Sequence, residues 1–322
     1  MDVVSISTYA MDVLMKVDTL PGEDGFAVVT SNTYTPGGSG TNVVVQAARL
    51  GAKCGFLGLV GTDSIGEDIL KSLAEEKVDA SRVLRKEGAV SLHTDIVVDA
   101  AGRKFILLNM GDAFLDYQPE SVDTDYIKEA KVFYTDLLPY AAARAGLKAA
   151  KAAGRKTAFN MQVELPAMNG FGAPTEGILE SLREVDLFAP CRAGLYQLCG
   201  TEDLDACLAF LRPYFKGTLL VTLGSRGAVA FDEQDRRYET PSMQGIQIVD
   251  TTGAGTPLWA ACSTPIFCRG CRCSRRSSSR PSAPGSPAPS SAPAARPPSR
   301  RSARGCERNQ PAKSRNKQNN RR

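Results

Sequence analysis

The chain has 322 residues, of which 43% are apolar and 23% are charged, and its formal net charge is +4 at pH 7. This composition excludes a chain that is disordered throughout, and the length suits one large domain or two modest ones. No apolar run reaches the roughly 18 residues of a membrane-spanning helix, and we see no secretory signal at the N-terminus. The first four cysteines lack disulfide-framework spacing, so we expect a cytoplasmic protein.

Charge divides the chain into two parts of opposite sign. Residues 256–322 contain 15 lysines and arginines, one acidic residue and ten of the 19 prolines. Residues 1–255 contain 24 basic and 34 acidic residues. The Ser-, Arg- and Pro-rich segment cannot bury enough apolar surface to offset the entropy lost on ordering. We therefore expect a folded domain over residues 1–255 and a disordered basic tail over 256–322.

Short apolar runs alternate with helical patterns along the first part. Strands are predicted at 3–7, 54–60, 132–135, 157–160, 187–189, 219–223, 228–231 and 245–249. Helices are predicted at 40–50, 142–153 and 204–211, and after a capping box at Ser64–Glu67 in which Ser64 caps the helix. This alternation is typical of an α/β fold with a mostly parallel sheet covered by helices.

Two stretches interrupt the alternation. Residues 26–32 and 90–98 have the pattern of antiparallel strands, and a turn at 100–102 leads to a further strand at 104–108. Such strands need a sheet of their own. We therefore expect a small β lid over one edge of the main sheet, with its strands near residues 11–35 and 88–109.

Three glycine-containing segments are candidates for ligand binding. Residues 35–42 (TPGGSGTN) open the first predicted helix, where glycines allow close backbone approach and the helix start offers free amides. Residues 250–255 (DTTGAG) follow a predicted strand and can direct several amides at one anion. Residues 222–227 (TLGSRG) lie between two strands and predict a tight turn. Taken singly, each segment is equally compatible with an ordinary turn.

In this order and spacing, the segments resemble the signatures of the PfkB carbohydrate kinase family, also called ribokinase-like. Residues 37–42 match its sugar-side signature, Gly-Gly-x-Gly-x-Asn, and residues 250–255 match its nucleotide-side signature, DTTGAGD. Residues 222–227 look like its adenine-nucleotide loop. Asp12 follows the first strand, where the family places a carboxylate on sugar hydroxyls. The resemblance covers residues 1–255 and does not specify the sugar.

The resemblance implies a three-layer α/β sandwich with a β lid, often shared in a dimer, and transfer of the γ-phosphate of ATP to a sugar hydroxymethyl group with Mg²⁺. Positioning and charge stabilisation dominate such a reaction, and a lid excludes water. The implied sugar contacts are Asp12, Gly37, Gly38 and Asn42, with His93 either a polar lid residue or a further contact. The implied anion hole is formed by Gly253, Ala254 and Gly255, and the implied nucleotide site by Thr222, Gly224 and Gly227.

Two positions depart from the family pattern. The family's catalytic Asp, which takes the proton from the attacking hydroxyl, is replaced by Thr256. Loss of such a base typically costs about 10²–10⁴ in rate. Where the family usually has Asn-x-x-Glu, which helps to organise Mg²⁺ and phosphate, this chain has Cys191 and Gly194. We therefore expect an impaired kinase, and no residue is assigned to a metal.

The basic tail departs from the family altogether. A shifted reading frame is one hypothesis, because codons can be chosen that restore a helix when read one base out. Cys268, Cys271 and Cys273 have zinc-like spacing without a core to organise them. The basic run at 274–280 can contact phosphates only non-specifically. Two functions stay open: an impaired sugar kinase, and a non-catalytic sugar-binding or regulatory protein whose tail binds an acidic partner.

Overall fold

Strands and helices alternate along residues 1–242, the part of the chain that the computed structural model describes. The strands are β1 (Val3–Ile6), β2 (Ala10–Val17), β3 (Val29–Gly37), β4 (Cys54–Leu57), β5 (Leu59–Gly61), β6 (Leu84–Lys86), β7 (His93–Val98), β8 (Lys104–Asn109), β9 (Val132–Thr135), β10 (Lys156–Phe159), β11 (Leu187–Phe188), β12 (Thr218–Thr222), β13 (Ala228–Phe231) and β14 (Arg237–Thr240). The helices are α1 (Ser39–Arg49), α2 (Ser64–Glu75), α3 (Thr124–Lys128), α4 (Tyr140–Ala152), α5 (Leu165–Gly170), α6 (Thr175–Ser181), α7 (Arg192–Cys199) and α8 (Leu204–Leu211).

The main sheet has eight strands in the order β14-β13-β12-β11-β10-β9-β1-β4. The six strands from β12 to β4 run parallel, and β13 and β14 extend one edge in antiparallel fashion. Strands β4 and β9 on either side of β1 are buried along their whole length. Continuous burial is expected for parallel strands with helices on both faces. The predicted α/β fold with a mostly parallel sheet is confirmed.

The predicted β lid is also confirmed, but its pairing differs from the prediction. The lid sheet has the order β3-β2-β7-β8, so the two strands predicted as antiparallel are separated by β2. Strand β2 pairs antiparallel with β3 and parallel with β7. Strand β2 falls within the lid range predicted near residues 11–35, but it was not predicted as a separate strand because polar residues interrupt its apolar alternation. Strand β3 ends at Gly37, so the glycine-rich segment begins inside the lid.

Several predicted elements need smaller corrections. Strands β9 and β13 and helix α8 have the predicted bounds, whereas the predicted strand at 54–60 is divided into β4 and β5. Helix α2 is capped by Asp63 rather than Ser64, because Asp63 Oδ1 accepts a hydrogen bond from the Gly66 amide at 2.9 Å. The same carboxylate accepts the Ser91 amide at 2.9 Å and so ties the helix start to the segment that leads into β7. The predicted strand at 245–249 lies outside the described residues.

A buried aromatic cluster lies where the chain leaves β1 for the lid. The ring of Tyr9 meets Phe56 and Phe114 edge to face, with centroid distances of 5.6 and 5.2 Å. All three side chains are almost completely buried, and such aromatic pairs contribute beyond the area they bury. The cluster holds the beginning of the lid, where β1 leads into β2, against the main sheet. Within residues 1–242, no helix is both long and apolar enough to cross a membrane.

Candidate functional site

A cleft opens at the carboxyl edge of the parallel strands, below the lid. Thr8 follows β1, Asp136 follows β9 and Gln162 lies beyond β10, and all three line the cleft. Leu108 and Met110 line it from the lid strand β8 and the residue after it. The cleft has a volume of about 170 Å³, which is below the range of about 300–1,000 Å³ that is usual for small-molecule sites. The carboxyl edge is also where open α/β sheets bind ligands.

Asp136 is the charged residue of this cleft. Its Oδ2 accepts hydrogen bonds from the Thr8 amide at 2.8 Å and from the Ser39 hydroxyl at 3.1 Å, and its Oδ1 accepts the Leu138 amide at 3.2 Å. Burial raises the pKa of Asp136 to about 6, although these hydrogen bonds favour the ionised form. At neutral pH the group is therefore a carboxylate. A ligand hydroxyl that donates to it would compensate part of its desolvation.

Asp12 lies in lid strand β2, on the same sheet face as Leu108. The register pairs Asp12 with Thr94 and Thr94 with Leu108, and paired residues point to the same face of a sheet. The Thr94 hydroxyl donates a hydrogen bond to Asp12 Oδ1. Because Leu108 lines the cleft, the Asp12 carboxylate lies on the cleft-facing side of the lid. Asp12 itself is not among the cleft's described lining residues.

The glycine-rich segment is built against this carboxylate. A Cβ at Gly37 would lie 2.5 Å from Asp12 Oδ2 and 2.8 Å from its Cγ, so any larger residue would displace the Asp12 carboxylate from its present position. Gly38 has a φ of 93°, a conformation that glycine adopts readily, and it precedes the first turn of α1. Asn42 lies on that first turn with an exposed side chain. The structure thus brings Asp12, Gly37 and Gly38 together, and it places Asn42 beside them on the helix.

The predicted turn at 222–227 joins the antiparallel strands β12 and β13. Its glycines have φ values of 60° at Gly224 and 95° at Gly227, and the Leu223 amide closes the turn on the Gly227 carbonyl at 2.8 Å. Thr222 ends β12, with its side chain half-buried. Strands β11, β10 and β9 separate β12 from β1, a span of about 19 Å at the usual strand spacing. The turn at 222–227 and the Asp136 cleft are therefore two separate sites along the same edge of the main sheet.

The segment that departs from the family's Asn-x-x-Glu pattern begins helix α7. The Cys191 thiol accepts the Gly194 amide at 3.4 Å and caps the helix, and burial raises the pKa of this thiol. A Cβ at Gly194 would lie 2.7 Å from Met161 Cε and 2.9 Å from the Val163 carbonyl oxygen, so a glutamate does not fit there. Within residues 1–242, no three histidine, cysteine, aspartate or glutamate side chains lie together in a group that could hold a metal ion. The described residues at this place do not fit the metal role that the resemblance implies.

The remaining predicted site residues lie outside the described part of the chain. These are Gly253, Ala254 and Gly255 of the anion hole, Thr256 that follows them, and the zinc-like cysteines 268, 271 and 273. His93 lies on β7 in the lid, where its Nδ1 is 2.9 Å from the Ser91 carbonyl oxygen. Thr8, Asp136 and Gln162 were not predicted as site residues, and Ser39 was predicted only as part of the glycine-containing segment 35–42. A carboxylate directly after a buried strand was the available signal for Asp136.

Solved structures share this architecture. The structure of Arabidopsis thaliana ribokinase complexed with ribose and ATP superposes with a TM-score of 0.69 at 22% identity, and the match covers 83% of this chain and 86% of that one. This likeness shows that the chain has the ribokinase-like fold.

The sequence comparisons identify the family as well as the fold. Probable fructokinase-2 of Arabidopsis thaliana is 27% identical over 258 residues, which is 75% of this chain and 76% of that protein. Fructokinase of Solanum tuberosum is 28% identical over 269 residues, 78% of each chain. The family model described as pfkB family carbohydrate kinase matches residues 1–255. The chain therefore belongs to the PfkB family of carbohydrate kinases.

Proposed function

We propose that this chain phosphorylates a small hydroxylated molecule with ATP, and does so slowly. The observation that carries the proposal is the buried Asp136 carboxylate, which accepts hydrogen bonds from Thr8 and Ser39 and lines a cleft beneath the lid. The relatives named as fructokinases, and the ribokinase solved with ribose and ATP, support a sugar-like acceptor and ATP as the donor.

In the proposed reaction, a substrate hydroxyl oxygen bonds to the γ-phosphorus of ATP. The bond from that phosphorus to the β,γ-bridging oxygen breaks, ADP leaves, and the hydroxyl proton passes to water. Asp136 and Asp12 accept hydrogen bonds from other hydroxyls of the substrate and so fix its orientation. Gly37 and Gly38 allow the backbone to approach it, and Asn42 adds an amide at the helix start.

The donor would bind farther along the same sheet edge. Thr222, Gly224 and Gly227 line the proposed nucleotide site, and the amides of Gly253, Ala254 and Gly255 stabilise charge on the transferred phosphoryl group. Mg²⁺ would neutralise phosphate charge in such a reaction. Position 194, where the family has a glutamate that helps to organise the metal, is a glycine with no room for a larger side chain. No residue of this chain is therefore assigned to the ion.

The slow rate follows from the substitution at position 256. A threonine hydroxyl does not accept the proton near neutral pH, so positioning and charge stabilisation would have to drive the reaction without a general base. The second candidate, a non-catalytic sugar-binding or regulatory protein, is favoured by the same observation, because the ligand cleft persists while two catalytic positions are substituted. We propose a cytoplasmic location for both, because the first four cysteines of the chain lack disulfide-framework spacing.

We also propose that two copies of the chain associate through the lid. Strand β8 lies at an edge of the lid sheet, and its apolar side chains Phe105, Ile106, Leu107 and Leu108 are 38–55% exposed. An exposed apolar edge strand is a template for pairing with another strand. A second copy of the lid would cover it.

The direct test is a phosphorylation assay with the full chain. The protein is incubated with ATP, Mg²⁺ and a panel of free sugars and nucleosides, and phosphorylated product is measured by mass spectrometry. In parallel, thermal shifts are recorded with each acceptor and with ATP alone. Slow product formation with one acceptor class supports the kinase, and acceptor binding without product supports the binding protein. If no acceptor binds, both proposals fail.

A further inference from the structure

We propose that Arg192 and Arg226 bind the β- and γ-phosphates of the nucleotide, between the turn at 222–227 and the acceptor cleft. The inference rests on the proposed function, because it takes that turn as part of the nucleotide site. It adds two cationic side chains that the proposed reaction does not use.

Both arginines are exposed, and neither has a side-chain partner within residues 1–242. This part of the chain contains twelve arginines. Nine of them form an ion pair or a cation–π contact there, and the remaining three are Arg155, Arg192 and Arg226. The planar guanidinium fork matches two phosphate oxygens at once. An unpaired arginine is therefore available to an anionic ligand.

The local structure does not explain either side chain. Arg192 is the first residue of α7, where the partial positive charge of a helix N-terminus makes a cation unfavourable. Arg226 lies in the turn that Gly224 and Gly227 shape, and only its backbone amide takes part, donating to the Leu223 carbonyl at 3.2 Å. Neither guanidinium group stabilises the element that carries it.

The sheet brings the two arginines to the same edge. Strands β11 and β12 are parallel neighbours, and the last residue of β11 pairs with Leu219. Cys191 lies three residues beyond that pair on one strand, and Thr222 lies three residues beyond it on the other. The chain is still extended at Cys191, with a φ of −63° and a ψ of 147°. Because neighbouring strands are about 4.8 Å apart, Arg192 begins α7 beside the turn that carries Arg226.

An open depression adjoins both this place and the acceptor cleft. Cys191 and Ala193, on either side of Arg192, line the depression. Gln162 and Val163 line it as well, and they also line the acceptor cleft. The transferred phosphoryl group has to lie between the nucleotide turn and the acceptor. The start of α7 is therefore on its path.

The charge at this place suits phosphate groups. Glu164 is the acidic residue that lines the depression, and its Oε2 accepts a hydrogen bond from Gln197 Nε2 at 2.9 Å rather than from an arginine. Position 194, where the family has a glutamate, is a glycine. The two guanidinium groups therefore outnumber the carboxylate of the depression, and cations so placed stabilise phosphate charge in phosphoryl transfer.

The experiment measures nucleotide binding to the full chain by isothermal titration calorimetry. ATP is compared with AMP, which lacks the β- and γ-phosphates, at about 0.15 M salt to screen distant charges. Mg²⁺ is omitted so that only the cations of the protein act on the phosphates. We expect the unmodified chain to bind ATP more tightly than AMP.

Variants of the two arginines test the assignment. Arg192→Gln and Arg226→Gln should each lower ATP affinity about 10-fold or more, the loss typical of a charge-assisted hydrogen bond, and should change AMP affinity much less. Arg192→Lys keeps the charge without the planar fork, so it should recover part of the ATP affinity. The basic tail is the same in every variant, so its contribution cancels in these comparisons.

Arg155→Gln is the matched control. Arg155 is also exposed and unpaired within residues 1–242, but it directly precedes β10 and so lies at the opposite edge of the sheet. This variant should bind ATP within about 2-fold of the unmodified chain, as expected for a surface charge away from the ligand. Circular dichroism checks that each variant is folded.

The outcomes separate this inference from the proposed function. If Arg192→Gln and Arg226→Gln bind ATP as tightly as Arg155→Gln does, the inference is overturned, while ATP binding by the unmodified chain still supports the kinase. Equal losses of ATP and AMP affinity, or equal affinities of the unmodified chain for both nucleotides, would also overturn it. If the unmodified chain does not bind ATP at all, the inference and the proposed kinase both fail.

Discussion

The backbone amide of Thr8 donates a hydrogen bond of 2.8 Å to Oδ2 of Asp136, although 128 residues separate the two in sequence. The contact follows from the sheet: β1 and β9 are parallel neighbours in which Ile6 pairs with Thr135. The residues that follow these strands therefore emerge at the same edge. This arrangement places a carboxylate in a largely apolar cleft, and its pKa is about 6 as a result.

The first prediction concerns the pH dependence of stability. The folded protein holds the Asp136 proton up to about pH 6, whereas the unfolded chain releases it near 3.8. Because the folded state must bury the charged form, this group's contribution to the free energy of unfolding is greatest below pH 3.8. It falls as the pH rises to 6 and is constant above that. Relative to Asp136→Asn, the unmodified chain should lose up to ~3 kcal/mol between pH 4 and pH 7.

Urea denaturation of both proteins at several pH values from 4 to 8.5 measures this difference. The comparison at pH 7.5 and 8.5 is an internal control, because the difference between the two proteins should not change there. Parallel curves over the whole range would show that Asp136 does not titrate as described.

The second prediction concerns Gly37. Gly37→Ala places a methyl group 2.5 Å from the Asp12 carboxylate, so the Asp12 side chain or the backbone around it must shift. The free energy of unfolding should fall by about 1–3 kcal/mol, and binding of the acceptor should weaken. Gly22→Ala is the control, because nothing lies within 4 Å of a Cβ there, and its effect should stay within about 0.5 kcal/mol. Equal denaturation midpoints for the two variants would contradict the close approach.

The fold and the site differ in how far the sequence predicts them. The six parallel strands of the main sheet were predicted because they are continuous apolar runs, and β9 among them has the predicted bounds. The antiparallel edge strand β13 was also predicted, whereas β14 was missed because it is short and exposed along its whole length. The lid was harder, because Asp12 and Lys16 interrupt the apolar pattern of β2, and its parallel pairing with β7 joins distant residues. Local patterns carry no information about such pairing.

The same reason explains why Asp136 was missed. A carboxylate directly after a buried strand indicates a position at the sheet edge, but only the sheet order brings Asp136 to Thr8 and Ser39. Gly37 was found through its motif, but the motif does not reveal that the neighbouring group is Asp12. The capping residue of α2 was misassigned by one position, because Asp63 also accepts hydrogen bonds from Ser91, a partner that is distant in sequence.

The third prediction distinguishes the proposed nucleotide site, at the turn 222–227, from the proposed acceptor site, in the Asp136 cleft. Thr222→Val keeps the shape of the side chain at the end of β12 and removes its hydroxyl. Affinity for ATP should fall about 2- to 10-fold, as expected for the loss of one hydrogen bond, while acceptor affinity is unchanged. Thr218→Val is the control, since Thr218 is similarly half-buried at the other end of the same strand. ATP affinity is measured by titration calorimetry. Equal ATP affinities of Thr222→Val and Thr218→Val would show that Thr222 is not part of the nucleotide site.

The fourth prediction concerns association through the lid. Leu107→Lys introduces a charge on edge strand β8, where the leucine is 55% exposed, and should convert a dimer into a monomer. Leu50→Lys is the control, because Leu50 is 47% exposed at the end of α1 and lies outside the lid. Sedimentation velocity measures the mass of each species. A monomeric unmodified chain, or a dimer that survives Leu107→Lys, would rule out β8 as the interface.

The fifth prediction concerns Thr256, the residue that the resemblance to the family's signature aligns with its catalytic Asp. Thr256→Asp introduces a carboxylate that can take the hydroxyl proton, a contribution that is typically about 10²–10⁴ in rate. We expect a recovery well below this range, because the sequence after position 261 lacks the helical pattern that follows this turn in the family. Thr256→Asn, a side chain of similar size without a base, is the control in the phosphorylation assay. A recovery of the full factor in Thr256→Asp alone would mean that the altered tail does not limit catalysis.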